Sequence, residues 1–334
     1  MRPIFFTILL FCTAPVFGQG NQNTFLVHDP VIIKQDSVYY VFCTGRGINV
    51  FSSVDMKDWK KERSVFDTLT WAVQAVPGFK NHIWAPDISF YKGQYYLYYS
   101  ISAFGKNTSC IGVATNKTLH PASPDFKWTD HGKLIQSYPG KTNWNAIDPN
   151  IIADKKGNAW MSFGSFWDGL KQVKLTKDRL HIDGDSINLP TIASRKKTTS
   201  AENPASVDDN PKDAGGNAIE APFIFYKNNY YYLFASIDYC CKGIKSTYKM
   251  IVGRSKKING PFIDKEGNDM AKAGGSIVLQ GDKNWYGVGH NALASFDGVD
   301  YLVFHGYAAA DNGRSKLRIE KLKWENDWPV IIIP

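Results

Sequence analysis

The chain has 334 residues, 43% hydrophobic and 14% aromatic, which is enough to bury a large core and suits an all-β fold built on Tyr, Phe and Trp strands. Its formal net charge of +8 is scattered over Lys-rich turns such as Lys155-Lys156, Arg195-Lys196-Lys197 and Lys256-Lys257. With no stacked basic and aromatic elements this balance gives no nucleic-acid partner, and no stretch is long and apolar enough to span a bilayer.

Residues 1–18 read as a signal peptide: Arg2, an apolar run from Ile4 to Cys12, then small or modest residues before a cut at Gly18–Gln19. Bulky Phe11 makes a poor lipid-attachment box before Cys12, so a secreted or periplasmic chain is expected rather than an anchored one. The remainder, 19–334, is expected to be a single domain and a monomer. It keeps Cys43, Cys110, Cys240 and Cys241, which form neither a disulfide framework nor a metal-ligand spacing. A bridge between adjacent Cys240 and Cys241 would close a strained ring, and two free thiols are equally open to that pair.

Along the chain one pattern recurs: a polar residue at the mouth of a hydrophobic strand, a polar turn, then an aromatic strand. The copies are VHDPVIIKQDSVYYVFCT (27–44), WAPDISFYKGQYYLYYS (84–100), AIDPNIIADKKGNAWMSFGS (146–165), AIEAPFIFYKNNYYYLFAS (218–236) and GHNALASFDGVDYLVFHG (289–306). Helical periodicity is nearly absent. The repeat length, carrying hairpins of period-2 strands, points to a five-bladed β-propeller in which each blade is a four-stranded antiparallel sheet. The last blade has enough strands of its own, so none should be borrowed from the N-terminus.

Setting the Tyr-rich second strands in register stacks Asp29, Ala85, Asp148, Glu220 and His290 at one position, the start of each innermost strand. Folding stability gives no reason to gather two Asp, a Glu and a His around one axis, so the ring marks a site. The loops returning to that mouth carry Trp84, Phe104, Trp144, Phe166, Trp167 and Tyr239, and aromatic faces beside carboxylates suit sugar rings. The long polar connection 191–216 is expected on the same face, as a flap or a loose insert. Two carboxyl groups on opposed blades can act as acid and base in glycoside hydrolysis, and a third can raise the acid's pKa by like-charge repulsion. The residues themselves do not assign these roles.

VHDPVIIK (27–34), WAPDI (84–88), WNAIDPNII (144–152), FGSFWDG (163–169), AIEAPFI (218–224), YCCKGIKSTYKMIVGRS (239–255) and GHN (289–291) together make the chain resemble glycoside hydrolase family 43, most closely its endo-1,5-α-L-arabinanases. The resemblance implies cleavage of internal α-1,5-L-arabinofuranosidic linkages of arabinan with inversion. It makes Asp29 the general base, Glu220 the general acid, and Asp148 the residue that orients the acid and tunes its pKa. It also implies that His290 helps to hold a cation, usually calcium, although calcium prefers oxygen and waters would have to complete its shell. Asn145, Ser165 and Trp167 match the arabinose-binding lining of relatives, Phe104 matches it by loop position, and Trp84, His28 and Arg318 are further candidates for substrate contact. An alternating strand would send His28 away from Asp29, and Asp87 is expected to fix a corner of the second blade. Two other readings are an exo-acting α-L-arabinofuranosidase or β-xylosidase on the same fold, and a non-catalytic sugar-binding propeller.

Overall fold

The computed structural model describes residues 25–196 and 216–332, and these build five antiparallel sheets. The first has β1 (Val31–Gln35), β2 (Val38–Cys43), β4 (Asn49–Ser53) and β5 (Lys60–Lys61), while the two-residue β3 (Gly45–Arg46) leaves it for the next sheet. The second has β6 (His82–Tyr91), β7 (Gln94–Ile101), β8 (Cys110–Asn116) and β9 (Thr129–Gln136), with β3 added at the β6 edge. The third runs β10 (Asn150–Ala153), β11 (Ala159–Phe163), β12 (Leu170–Lys174) and β13 (Thr191–Ala193). The fourth runs β14 (Ile219–Lys227), β15 (Tyr230–Ile237), β16 (Lys249–Ser255) and β17 (Ser276–Gln280). The last runs β18 (Trp285–Phe296), β19 (Val299–Ala308), β20 (Arg314–Glu325) and β21 (Trp328–Ile332).

The first strands touch in a closed circle, β1 against β6 and β18, β10 against β6 and β14, and β14 against β18. This is the five-bladed propeller, with one six-residue helix, α1 (Thr70–Ala75), among its connections. Apolar faces of neighbouring blades pack on each other. Phe42, Leu97 and Tyr99 share one buried cluster, Tyr98, Trp144 and Phe163 another, and Phe234, Leu302 and Phe304 a third. Each sheet is thus covered by its neighbours, which is how a propeller avoids long open faces.

Polar straps add to this packing. Asp87 accepts hydrogen bonds from Ile151 N at 2.8 Å and Asn150 Nδ2 at 3.4 Å, and Asn150 Oδ1 accepts one from Ile224 N at 2.8 Å, linking the second, third and fourth blades. Burial pushes the Asp87 carboxyl up to about 7, against the hydrogen bonds from Ile151 and Asn150. Asp87 therefore joins blades rather than fixing a corner of one.

Among the described residues the last blade is built wholly from its own strands, and the N-terminal segment adds no strand to it, although Val27 N donates to Ser315 O at 3.4 Å. The connection after blade three is not loop throughout, because Thr191–Ala193 form its outer strand. Residues 197–215 of the 191–216 connection expected as a flap, and the signal segment, lie outside the described residues.

Candidate active site

Every blade begins with the same backbone device. Asp29, Ala85, Asp148, Ala221 and His290 all have positive φ, between 42° and 59°. Left-handed backbone costs a residue with a Cβ about 1–2 kcal/mol, least for Asp and Asn, and such strain persists where its surroundings fix it, often at functional sites. Proline follows in four of the blades (Pro30, Pro86, Pro149 and Pro222), where the interrupted ladder asks for no N–H donor. Regular pairing resumes beyond it, with register shifts between Trp84 and Asp87, Glu220 and Phe223, and Gly289 and Ala292.

This device corrects the sequence register in blade four. Glu220 pairs with Ser236 just as Trp84 pairs with Ser100, so the equivalent of Asp29 and Asp148 is Ala221, and Glu220 stands one residue earlier. The run Tyr230-Tyr231-Tyr232 gives no unique register, so a slip of one residue was invisible in the sequence. The same device corrects the expectation for His28. The left-handed turn at Asp29 breaks strand alternation, and His28 Nδ1 lies 2.8 Å from Asp29 Oδ1 instead of on the opposite side.

Each left-handed N–H needs an acceptor, and the preceding blade's second strand supplies it. Asp29 N donates to His305 Nδ1 (3.1 Å), Ala85 N to Thr44 Oγ1 (2.8 Å), Asp148 N to Ser100 Oγ (2.9 Å) and His290 N to Ser236 Oγ (2.8 Å). Blade three has Gly164 at this place, its N–H bonded to Ile147 O at 2.8 Å, and so offers no side chain. A Cβ there would lie 2.9 Å from Gly169 O, at φ +128°. Ala221 N consequently donates to Asp148 Oδ2, 3.1 Å, which brings the Asp148 carboxylate beside Glu220.

Three carboxyl groups with different surroundings result. Asp29 Oδ2 accepts the Thr44 hydroxyl at 2.5 Å, and Oδ1 faces His28 Nδ1 at 2.8 Å and His290 Nδ1 at 3.1 Å. Burial disfavours its charge, but His28 and His290 outweigh burial and hold it well below the usual carboxylate range. Asp148 is pushed up to about 8, by burial first and by the like charges of Glu220 and Asp29, with His290 opposing. Glu220 accepts the Tyr248 hydroxyl at 2.7 Å and the Ser165 hydroxyl at 2.8 Å. Burial lowers His290, yet Asp29 foremost, with Asp148 and Glu220, raises it to about 9. The site thus holds one ionised carboxylate, one protonated acid beside a hydrogen-bonded carboxyl group, and an imidazolium.

Sequence reasoning missed His305, Tyr248, Thr44 and Tyr307. His305 and Thr44 stand near the ends of second strands, where Ser100 and Ser236 also stand, a repeat visible in the aligned copies. Tyr248 lies on a loop with no such marker.

The expected sugar-binding set divides. Ser165 is spent on Glu220. Trp84 is half-buried at the position equivalent to Glu220 and donates Nε1–H to His82 Nδ1 at 3.0 Å. Phe104 is 74% exposed, open to stacking. Asn145 is buried with Oδ1 unpartnered, so it has a polar atom to spare. Trp167 is only 4% exposed and has no open face. Arg318 pairs in register with Phe304 while Leu317 pairs with His305, so Arg318 lies on the opposite side of the blade from His305. There it donates to Glu320 and packs 4.4 Å over the Trp285 ring.

Calcium takes six to eight oxygen ligands. At His290, Nδ1 already faces Asp29, leaving the protein one nitrogen to offer. The trio His28, Asp29 and His305 has its ligand atoms within 4.8 Å of one another, but His305 Nδ1 is occupied by the Asp29 N–H, which leaves its buried Nε2 as the one nitrogen it could offer. The donor set therefore fits only a hydrated ion.

Comparison with known proteins agrees with this geometry. The model for Glycosyl hydrolases family 43 matches residues 23–329. The chain is 50% identical over 326 residues, 97% of its length and 90% of the relative's, to an extracellular exo-α-(1→5)-L-arabinofuranosidase of Cellvibrio japonicus (strain Ueda107). It is 40% identical over 331 residues, 98% of its length and 93% of the relative's, to an extracellular endo-α-(1→5)-L-arabinanase of Bacillus subtilis (strain 168). It superposes with a TM-score of 0.86 and 48% identity on the Cellvibrio cellulosa α-L-arabinanase complexed with arabinohexaose, covering 92% of this chain and 96% of that one. A propeller that converges three carboxyl groups on one mouth, matched over almost its whole length, belongs to glycoside hydrolase family 43.

Proposed function

We propose that this protein hydrolyses α-1,5-L-arabinofuranosidic linkages of arabinan with inversion, Asp29 acting as general base, Glu220 as general acid, and Asp148 as the partner that holds the acid's proton. The observation that carries this reading is the split between an Asp29 kept ionised by His28 and His290 and an Asp148 kept protonated beside Glu220. Acid–base hydrolysis needs one carboxyl group in each state at the same pH. Ser165 and Tyr248 donate to Glu220, which favours the proton on Asp148 in the free site. That proton passes to Glu220 when the glycosidic oxygen takes a donor's place. A non-catalytic sugar-binding propeller would have no use for this division, and the relatives' names point to arabinan rather than xylan.

The arabinanase-like WNAIDPN and FGSFWDG favour attack within the chain, so linear debranched arabinan should release short oligosaccharides early in a time course. Release from a chain end is the second reading, favoured by 50% identity to an exo-acting relative. A single small product at all times would establish it, and cleavage of xylan but not arabinan would overturn both. Export through residues 1–18 and a monomeric state belong to the same proposal, and among the described residues no helix is long and apolar enough to cross a membrane.

A hydrated calcium ion beside Nε2 of His290 completes it. When bound, such an ion would supply charge balance to the carboxylates, and His290 would have to give up its proton to hold it. Chelator dialysis should then lower the melting temperature, with recovery on adding calcium. An unchanged melting temperature with no metal found by elemental analysis would leave the His290 imidazolium as the counter-charge.

A further inference from the structure

Cys240 and Cys241 are joined as a vicinal disulfide in the loop between β15 and β16. The bridge closes a small ring around their peptide and so fixes where the Cys241 N–H points. It points at the active site: Cys241 N donates to Tyr307 Oη at 2.7 Å, and Cys241 Sγ lies 3.8 Å from His28 Nε2. Tyr307 Oη is in turn 2.8 Å from His28 Nε2, and His28 Nδ1 is 2.8 Å from Asp29 Oδ1.

The direction of these bonds can be worked out. A phenol oxygen has two lone pairs and one proton. The Cys241 N–H takes one of those lone pairs. Asp29 Oδ1 can only accept, so His28 Nδ1 carries the proton, and Nε2 of that tautomer accepts the Tyr307 hydroxyl. In that tautomer the Tyr307 O–H fills Nε2 and the Nδ1–H is donated to Asp29. The ring has little freedom to turn away, since it stacks 3.8 Å from the buried His305 ring.

We propose that the Cys240–Cys241 disulfide and Tyr307 are positioning residues that fix the Nδ1–H tautomer of His28 and thereby aim the Asp29 carboxylate. The proposal rests on the reading of Asp29 as general base. Without the Tyr307 proton, His28 can present a bare Nδ1 to Asp29, lone pair against carboxylate, and the carboxylate swings away from the attacking water. Tyr307 and the Cys240–Cys241 pair act on Asp29 through His28, so the loss is expected on turnover.

The test uses full-length enzyme with ¹⁵N-labelled histidine, the His28 signals being assigned by their loss in His28→Gln. Wild-type His28 should show the Nδ1–H form. In Tyr307→Phe the tautomer should mix or invert, and kcat on arabinan should fall about tenfold from misaimed base while KM stays within about twofold. Cys240→Ser/Cys241→Ser, which keeps the backbone donor but frees the loop, should move both readouts in the same direction. An Nε2–H form in the wild type, or a Tyr307→Phe enzyme with unchanged tautomer and kcat, overturns the relay. The tautomer is read without turnover, so an active Asp29→Asn would sink the base assignment alone and leave this result standing.

Discussion

Replacing Asp29 by asparagine should lower kcat/KM on arabinan by more than about 10²-fold, the loss expected when a general base is removed from the transition state. Asparagine is the informative choice because the position is left-handed at φ 53°, a conformation that Asn tolerates and most residues do not. It also leaves an oxygen for the Thr44 hydroxyl, which donates to Asp29 Oδ2 at 2.5 Å. A stability effect and a catalytic effect can thus be separated by recording the melting temperature beside the rate. The alanine variant adds a second readout, since added azide should attack in water's place and restore part of the rate. An Asp29→Asn enzyme with near wild-type turnover would remove Asp29 from the mechanism, and with it the meaning of the five-fold ring of left-handed residues.

That ring was largely legible in the sequence. Hairpin repeats with alternating aromatic strands named the propeller, because a strand buried between neighbouring blades must alternate with period 2 and each blade must repeat the pattern. Asp29, Asp148 and His290 fell on the correct position for the same reason. Glu220 was placed one residue off, and the error is instructive: Tyr230, Tyr231 and Tyr232 look alike in sequence, while only pairing with Ser236 and the left-handed Ala221 locate the bulge.

Side-chain partnerships were less legible, because they depend on which blades meet rather than on spacing. His28 looked averted from Asp29 until the backbone at Asp29 proved left-handed. Trp167 looked like an exposed stacking face, but burial leaves its ring no open side. Arg318 looked like a sugar contact, although its strand places it with Phe304 and Trp285 on the opposite face of the last blade from His305. The Cys240–Cys241 pair read as either free thiols or a strained ring, and its closeness to His28 crosses from blade four to blade one, a contact that no local pattern announces.

Replacing Glu220 by glutamine should also cost more than about 10²-fold on arabinan, but its loss should depend on the leaving group, unlike that of Asp29. Glutamine keeps one acceptor oxygen for the Tyr248 or the Ser165 hydroxyl, and its amide N–H can donate to the oxygen of the other, so the fold is spared while the proton donor is lost. An aryl arabinoside with an acidic phenol, if accepted, departs without protonation and should recover most of the rate in Glu220→Gln, and none in Asp29→Asn. The pH profile supplies the companion evidence. Asp148 is pushed up to about 8 by burial and by the like charges of Glu220 and Asp29, so wild-type activity should fall as pH rises through about 8 and the pair loses its proton. Asp148→Asn removes one of the two repelling charges, and the remaining proton is held less firmly. Its basic limb should therefore move to lower pH, while the acid limb, set by Asp29, stays where it was. If Glu220→Gln loses as much on the activated aryl arabinoside as on arabinan, Glu220 is not the proton donor, and the acid must be Asp148 itself.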